Sequence, residues 1–252
     1  MPVVRNDSGV LAKVRGRLSR LRPITVGQMA AHWETDHLKR LLAYLAVDCV
    51  FDIGANEGQY ANRLRSAMKF RGTILSFEPH PEMYFRLRAA SADDPKWHVF
   101  PYALSDSPGT VQFNVTRSAQ MGSLSTPTAA AQQVLPVHAQ LVRTVDVEVR
   151  TLAEMYPALS AEHGFRRPFL KTDTQGFDVR VIRGVGDELH DFVGLQSELA
   201  VVRLYEEAPD YLSALRLYES LGFVLSALVP NNSGHFPRML EVDCVMVRQD
   251  LT

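Results

Sequence analysis

"VFDIGANEGQY", residues 50–60, places an acidic residue, Asp52, and two glycines directly behind an apolar run. The apolar run predicts a buried strand, and a helix is expected from about Gly58 to Met68. A strand that turns through glycine into a helix creates an anion-binding site, because the helix N-terminus offers unpaired N–H groups and a positive dipole end. The stretch therefore predicts a ligand-binding turn after the first strand of the fold.

Strands and helices alternate along most of the remaining chain. The predicted strands are GTILSFE, WHVFPYAL, RPFLKTD, FVGLQSELA, FVLSALV and LEVDCVMVR, and the predicted helices are PEMYFRLRAASA, FDVRVIRGV and DYLSALRLYESLGF. This alternation favours an α/β fold with a mostly parallel sheet and helices on both faces. Because ligands of such sheets bind beyond the carboxyl ends of the strands, the residues at strand ends are the site candidates.

The bulk composition is that of an ordinary globular protein. The chain has 252 residues, 46% apolar and 22% charged, which fits one large domain or a domain with an appendage. A formal net charge of -1 gives no reason to expect a nucleic-acid partner, and no apolar window predicts a membrane span or a signal peptide. Cys49 and Cys244 sit in apolar runs, which predicts two buried thiols in a reducing cytoplasm rather than a disulfide or a metal site.

Residues 1–45 are expected to form an N-terminal helical extension, ahead of a main domain over residues 46–252. Residues 1–25 are locally basic, and their apolar residues recur at helical spacing. That pattern fits an amphipathic helix on a membrane surface or a partner, or a lead-in held loosely on the body. A second helix is predicted over residues 28–45 from an apolar stripe. The stripe consists of Leu38, Leu41, Leu42 and Leu45.

A segment between two half-buried strands interrupts the alternation of strands and helices. Apolar and polar residues alternate over residues 111–115 and 145–149, which predicts two strands that pair antiparallel. Residues 118–143 between them are rich in Ser, Thr, Ala, Gln and Pro. A long segment of this kind is often a lid or substrate loop, and a disordered connection without function is the alternative.

Asp52 helps to identify the ligand of the glycine turn. The turn spacing, Gly54 to Gly58, departs from the G-x-G-x-x-G fingerprint of dinucleotide-binding proteins, and a carboxylate there would repel a pyrophosphate. S-adenosylmethionine (SAM) carries a sulfonium and an ammonium, which an Asp at the strand end can favour. Glu78, 20 residues after Gly58, ends the next predicted strand and is placed to accept hydrogen bonds from the ribose hydroxyls. The alternative is that both acids are helix N-caps.

Backbone at the end of the third predicted strand, at Ala103 and Leu104, is expected to border the flat base of the cofactor. Ser105 or Asp106 is placed to touch the edge of that base, although Asp106 in SDSPG also fits a plain turn. The residues expected to bind the cofactor are Asp52, Gly54, Ala55, Asn56, Gly58, Gln59, Tyr60, Glu78, Pro79, Ala103, Leu104, Ser105 and Asp173.

Over roughly residues 47–200 the sequence resembles the FkbM-type family of SAM-dependent methyltransferases. The matching stretches are FDIGANEGQY, GTILSFEPHPEMYFRLR, ALSDSPGTVQF, VRTLAEMY, FLKTDTQGFDVRVIRGV and LQSELA, in the family's order. The resemblance implies a Rossmann-like class I methyltransferase fold, whose seven-stranded sheet has one antiparallel strand near an edge. It also implies methyl transfer, usually to a hydroxyl, on sugars or specialised metabolites. One departure is KTDTQG at residues 171–176, where the family's motif resembles K-I-D-V-E-G.

A hydroxyl acceptor must lose its proton, to a general base or with the help of a metal ion. Asp173, at the end of a predicted strand, and Glu198, near the end of the next, are the predicted catalytic residues. If these strands are neighbours, the two carboxylates could share a hard cation such as Mg²⁺; without a metal, Asp173 would act as the base or hold one in place. The alternative for Asp173 is a purely structural cap of the following turn.

The sequence thus predicts a cytoplasmic SAM-dependent methyltransferase that methylates a hydroxyl of a sugar or a glycosylated small molecule, in natural product biosynthesis. N-methylation of an amine, a SAM-binding protein without catalytic activity and a nicotinamide-dependent oxidoreductase are the alternatives. The turn spacing disfavours the oxidoreductase. The identity of the small-molecule acceptor and the oligomeric state, a homo-oligomer included, stay open.

Overall fold

The computed structural model describes residues 25–117, 122–230 and 237–252. The amphipathic helix predicted within residues 1–25 and the start of the predicted lid at 118–121 lie outside the described residues. The strands are β1 (Cys49–Ile53), β2 (Thr73–Phe77), β3 (Trp97–Phe100), β4 (Ala103–Leu104), β5 (Gly109–Thr116), β6 (Leu141–Arg150), β7 (Pro168–Thr172), β8 (Gly194–Ala200), β9 (Phe223–Pro230) and β10 (Glu241–Arg248). The α-helices are α1 (Val26–Tyr44), α2 (Gln59–Ser66), α3 (Pro81–Ser91), α4 (Ala129–Val134), α5 (Leu152–His163), α6 (Asp178–Arg183) and α7 (Tyr211–Ser220), and 3₁₀ turns cover Gly186–Asp191 and Gln249–Leu251.

The described strands build one large sheet of seven members in the order β3-β2-β1-β7-β8-β10-β9. Strands β1, β2, β3, β7 and β8 run parallel to one another. Strand β10 runs antiparallel to both β8 and β9, so the one reversed strand lies next to an edge. This topology confirms the mostly parallel α/β sheet predicted from the alternation of strands and helices, and the antiparallel strand that the family resemblance implied.

The sheet is buried on both faces because successive side chains of a strand point to opposite sides. Strand β1 shows this, since Phe51 and Val50 are both fully buried but belong to different apolar clusters. Phe51 packs with residues of α5, α6 and α7, whereas Val50 packs with residues of α1, α2 and α3. Helices therefore cover both faces of the sheet, as predicted.

Helix α1 is joined to the rest of the fold through its apolar stripe and one acid. Leu38 and Leu42 are buried in the cluster that contains Val50, which confirms the predicted helical stripe. Glu34 on the same helix is buried and accepts hydrogen bonds from Arg63 and from Gln196 of β8. The helix thus packs directly on the sheet, and a domain boundary after residue 45 stays a prediction.

The stretch WHVFPYAL, predicted as one strand, forms two strands in two different sheets. Strand β3 pairs with β2 in the large sheet, whereas β4 pairs with β6 in a second sheet of order β4-β6-β5. Pro101 lies between them and has no backbone N–H to continue a ladder. The antiparallel pairing predicted for residues 111–115 and 145–149 is confirmed, with Phe113 opposite Val145.

Both cysteines are buried and unpaired, as predicted. Cys49 lies on β1 and Cys244 on β10, and two strands separate them in the sheet. At ~4.8 Å per strand the separation is about 14 Å, which is too far for a disulfide. Within the described ranges, no helix has both the length and the apolar character needed to span a membrane.

Candidate active site

A cleft of about 730 Å³ opens at the carboxyl edge of the large sheet. The ends of β1, β2, β7 and β8 line it, and so does the start of β10, because that strand runs in the opposite direction. Most of the site residues predicted from the sequence meet there. These are Gly54, Ala55, Asn56, Gln59, Tyr60, Glu78, Pro79, Ala103, Leu104, Asp173 and Glu198.

The turn after β1 forms part of the cleft because residue 54 has no side chain. Gly54 has a φ of +74°, and a Cβ at this position would lie 1.9 Å from the backbone oxygen of Asp173. The backbone N–H groups of Gly54 and Ala55 both donate to the carbonyl of Phe77, at 3.0 Å each. The ends of β1, β2 and β7 are thereby held in direct backbone contact around the glycine.

Asp52 does not line the cleft, which amends the prediction that it meets a cationic ligand directly. Its carboxylate is fully buried, and its Oδ1 lies 3.0 Å from the ammonium of Lys171, its register neighbour on β7. Lys171 also donates to the carbonyls of Gly54 at 3.2 Å and Ile53 at 3.4 Å. Asp52 is therefore paired with a lysine that holds the carbonyls of the glycine turn, and any effect on a ligand would be indirect.

Burial alone would lower the pKa of Lys171, but the carboxylates of Asp52 and Asp173 outweigh it and hold that pKa above its ordinary value. The lysine thus stays protonated and neutralises the charge of Asp52. This side chain lines the cleft and was missed by sequence reasoning. Its place beside Asp52 follows from the register of β1 against β7. These strands are more than a hundred residues apart in the chain, and the sequence alone does not give their register.

Two further predicted cofactor residues, Gly58 and Ser105, also lie outside the cleft lining. Gly58 has a φ of +91°, and a Cβ there would lie 2.7 Å from the ring of Trp97. Ser105 is buried, and its hydroxyl donates to the Asp106 carboxylate at 3.3 Å. Their positions amend the prediction of direct contact, since Gly58 lets α2 begin against Trp97 and Ser105 packs behind the cleft wall.

Glu78, at the end of β2, is held by backbone amides on both carboxylate oxygens. Its Oε2 accepts from the N–H of Asn56 and its Oε1 from the N–H of His80, both at 2.8 Å. Burial raises the pKa of Glu78 to about 7, although the amides and Lys171 act in the opposite direction. The side chain is 6% exposed and borders the cleft, which fits its predicted place beside a ligand.

Asp173 and Glu198 lie on neighbouring strands and are joined by one amide group. The Nε2 of Gln175 donates to Asp173 Oδ1 and to Glu198 Oε2, at 3.0 Å in both cases. The Oε1 of Gln175 accepts from the hydroxyl of Tyr205 at 2.9 Å, which is consistent with this orientation of the amide. Burial raises the pKa of Glu198 well above its ordinary value, and the charges of Glu241 and Asp173 add to the shift.

The structure gives no support to the Mg²⁺ ion predicted between Asp173 and Glu198. The amide nitrogen of Gln175 lies between the two carboxylates, in the place that a shared cation would take. Within residues 25–117, 122–230 and 237–252, no group of three or more His, Cys, Asp or Glu side chains is arranged to hold a metal ion. The donor set therefore does not fit the predicted metal.

Strand β10 contributes two acids that sequence reasoning missed, Glu241 and Asp243. Both line the cleft, and Asp243 lies directly opposite Glu198 in the register of β8 and β10. Burial raises the pKa of Glu241 to about 7, and the charge of Asp173 adds to the effect. Burial and Glu34 likewise raise the pKa of Asp243 well above its ordinary value. The sequence feature that could have indicated these residues is a pair of acids at alternate positions of an otherwise apolar strand.

The described part of the predicted lid, residues 122–143, lies over the cleft. Leu124, Leu135 and His138 are among the lining residues. The hydroxyl of Ser123 donates to the backbone carbonyl of Gln175 at 2.6 Å, next to the residues at the end of β7. The segment is therefore tied to the same loop that carries Asp173.

A seven-stranded sheet in this order, with the glycine turn, Glu78 and Asp173 at one edge, defines the class I methyltransferase fold. A sequence model of the Methyltransferase FkbM domain matches residues 52–225, and the chain belongs to this family of SAM-dependent methyltransferases. Comparison with curated protein sequences finds no match.

Several solved methyltransferase structures are similar to this chain at low sequence identity. Methyltransferase FkbM from Methylobacillus flagellatus KT aligns with a TM-score of 0.49 at 11% identity, over 79% of this chain and 43% of that one. Fibrillarin from Aeropyrum pernix, in complex with SAM, aligns at 0.45 and 13% identity, over 79% and 66%. The magnesium protoporphyrin IX methyltransferase of Synechocystis PCC 6803, with bound SAM, aligns at 0.44 and 9% identity, over 98% and 100%. The chain thus spans less than half the length of the Methylobacillus protein.

Proposed function

We propose that this protein transfers a methyl group from SAM to a hydroxyl of a sugar or of a glycosylated or specialised metabolite. The observation that carries the proposal is the meeting of the Gly54 turn, Glu78 and Asp173 at one cleft. Membership of the FkbM family supports the choice of reaction. The acidic lining near Asp173 supports a hydroxyl-bearing acceptor, because carboxylates accept hydrogen bonds from hydroxyl groups.

The residues around the glycine turn fit SAM, which supplies a methyl group activated by its bond to a sulfonium. The cofactor half of the cleft is the name we give to the region lined by Gly54, Ala55, Asn56, Gln59, Tyr60, Glu78, Pro79, Ala103 and Leu104. Gly54 leaves room for close approach to the backbone, and the Glu78 carboxylate is fixed beside the turn by the amides of Asn56 and His80. Each oxygen of Glu78 keeps a further lone pair, which suits the two ribose hydroxyls.

We call the opposite region, lined by Gln196, Glu198, Glu241 and Asp243, the acceptor half of the cleft. Asp173 lies between the two halves, at the end of the central strand β7. When the acceptor oxygen takes the methyl group that bound SAM would supply, the hydroxyl proton would pass to a carboxylate of the cleft. Asp173 is our candidate for that base, with Glu198 beside it as the second.

Gln175 supports this assignment, because it orients both candidates. Its amide donates to Asp173 and to Glu198, so the two carboxylates keep a fixed mutual geometry. Much of the rate enhancement in methyl transfer comes from holding the acceptor close and in line, which needs rigid groups. We also infer that the described part of the predicted lid, residues 122–143, closes over the acceptor, since Leu124 and His138 line the cleft.

We keep the prediction of a cytoplasmic location. Its support is the presence of two buried and unpaired cysteines, a pattern typical of reducing compartments. A cell fractionation in which the protein is recovered with membranes or in the medium would contradict it.

Calorimetry with S-adenosylhomocysteine (SAH), SAM and NAD tests the cofactor assignment. We expect SAH and SAM to bind with micromolar dissociation constants and NAD not to bind. Absence of SAM and SAH binding at high micromolar concentration, together with binding of NAD, would contradict the proposal.

Mass spectrometry of acceptors incubated with SAM tests the reaction itself. We expect a methylated product whose fragmentation places the methyl group on oxygen, in sugars or glycosylated metabolites. A methyl group on nitrogen would instead establish the N-methyltransferase alternative. SAM binding without methyl transfer to any fraction of a metabolite extract would establish a protein without catalytic activity.

A further inference from the structure

Charge is distributed unevenly over the cleft. Among the described lining residues, the lysine and arginine side chains are Arg63 and Lys171. Arg63 is paired with Glu34 at 2.7 Å, and Lys171 with Asp52 at 3.0 Å. The basic residues on the cleft floor are therefore already engaged with Glu34 and Asp52.

Among the acids of the acceptor half, Glu241 gives the clearest indication of a bound ligand. Its side chain borders the cleft and is only 6% exposed. In the described part of the chain, its carboxylate forms neither a hydrogen bond nor an ion pair. A largely buried carboxylate without a protein partner is costly, because burial removes part of the hydration of the charged group and no protein donor replaces it. Such a group points to a ligand that supplies the missing donors.

The neighbouring acids belong to the same place in the sheet. Glu241 and Asp243 are alternate residues of β10 and share one face, and Asp243 lies opposite Glu198 of β8. Side chains directly opposite on antiparallel strands have Cβ atoms about 5 Å apart. Three acids therefore lie on one face of two adjacent strands and give this side of the cleft a concentration of negative charge.

The positive charges of SAM itself do not account for these acids. In the strand order, β7 and β8 separate β1 from β10. At ~4.8 Å per strand, the acids of β10 lie about 14 Å from the glycine turn. Asp173 on β7 lies between them, so Glu241 and Asp243 are on the far side of Asp173 from the glycine turn.

We propose that the acceptor carries a protonated amine, and that Glu241 binds this amine, with Asp243 and Glu198 adding negative charge nearby, while a hydroxyl of the same molecule is methylated beside Asp173. The inference rests on the proposed function, and it adds the substrate class: an amino sugar or another amino alcohol. Nearby carboxylates favour the ammonium form of an amine, and an ammonium has no lone pair to attack the methyl carbon. The amine is thus the anchor and the hydroxyl is the nucleophile.

Matched ligand pairs that differ by one amino group test the proposal. The probes are glucosamine and glucose, galactosamine and galactose, and trans-2-aminocyclohexanol and trans-1,2-cyclohexanediol, each titrated calorimetrically with saturating SAH present. We expect the amine of at least one pair to bind roughly tenfold or more tightly than its partner. N-acetylglucosamine, which lacks the charge, should bind no better than glucose. The absence of an amine preference in every pair would overturn the proposal.

Two isosteric variants assign the preference to β10. Glu241→Gln and Asp243→Asn should each reduce the amine preference to about threefold or less, with the dissociation constant of SAH unchanged. Glu219→Gln, at an exposed position on α7, is the matched control and should keep the full preference. A wild-type preference that survives in both β10 variants would overturn the assignment to these carboxylates.

Product analysis separates this inference from the proposed function. Methyl transfer to the oxygen of an amino alcohol supports both the proposed function and the amine subsite. Methyl transfer to oxygen of neutral sugars, with no amine preference, overturns the amine subsite and leaves the proposed function intact. Failure to bind SAH overturns the proposed function. In that case the amine preference, measured without SAH, still tests the amine subsite. A methyl group on nitrogen overturns the role of the amine as an anchor.

Discussion

The two halves of the cleft hold their carboxylates in opposite ways. In the cofactor half, Glu78 accepts a backbone N–H group on each oxygen, so both oxygens have a donor before any ligand arrives. In the acceptor half, Glu241 is as deeply buried as Glu78 but has no such donors within the described residues. The first half is therefore preorganised for its ligand, and the second is stabilised only when a ligand binds.

The same contrast extends to the backbone. The cofactor half is built around a glycine turn that three strand ends enclose, whereas side chains of β8 and β10 form most of the acceptor half. Changes of backbone shape should damage the first half, and changes of charge should act mainly on the second. The following substitutions test this difference.

Gly54→Ala should have the largest effect, because its Cβ would meet the backbone oxygen of Asp173 at 1.9 Å and the φ of +74° disfavours a side chain. We expect a loss of about 5 kcal/mol of unfolding free energy, or failure to fold, with no measurable SAH binding. Gly164→Ala is the control, since Gly164 has a φ of +66° but no atom within 4 Å of its Cβ. This variant should lose only about 1–2 kcal/mol in urea unfolding. Equal losses in the two variants would contradict the close packing at residue 54.

Asp173→Asn should lower turnover by about 10²–10⁴-fold, because the amide cannot take the acceptor proton. The dissociation constant of SAH, measured by calorimetry, should change by less than about threefold, since Gln175 can still donate to the remaining oxygen. Asp187→Asn, at an exposed position, should behave as the wild type. Retention of normal turnover by Asp173→Asn would rule out its role as the base.

Glu241→Gln should stabilise the ligand-free protein at alkaline pH. The pKa of Glu241 is raised from 4.5 to about 7 by burial, so its contribution to stability is present below pH 4.5 and lost as the pH rises through 7. Relative to the wild type, the variant should be equally stable near pH 4.5 and more stable by about 3 kcal/mol at pH 8. Urea unfolding at both pH values measures the difference. A variant that is less stable than the wild type at pH 8 would show that the carboxylate has a partner after all.

Glu78→Gln should weaken SAH binding by about 1–3 kcal/mol, because an amide group cannot accept hydrogen bonds at both positions. The amine preference of the acceptor half should not change. Glu57→Gln provides the control, since Glu57 belongs to the same turn but pairs with Arg86 outside the cleft lining. If the Glu78 and Glu57 variants bind SAH equally well, the cofactor half has been assigned to the wrong carboxylate.

The features that sequence analysis predicted correctly depend on short stretches of chain. The strand, glycine turn and helix around Gly54 are encoded within residues 49–66, and Glu78 and Asp173 each follow an apolar run directly. Because parallel strands present their carboxyl ends at one edge, knowing where each strand ends was enough to bring these residues together.

The features that it missed depend on which strands are neighbours. Asp52 was expected to face a ligand, but it lies opposite Lys171 in the register of β1 and β7, and the pair neutralises itself. Glu241 was not singled out, because its place in the cleft requires β10 to insert between β8 and β9. The role of Gln175 likewise needed the distance between Asp173 and Glu198, which only the folded chain defines.

The late position of β10 in the chain also separates the two halves in the order of synthesis. By the time residue 173 leaves the ribosome, each strand end of the cofactor half has been made, whereas Glu241 and Asp243 emerge some seventy residues later. Replacement of the segment that contains β9 and β10 could therefore alter the choice of acceptor without changing the glycine turn after β1. Evolution of new specificities in this chain would act most readily on its last quarter.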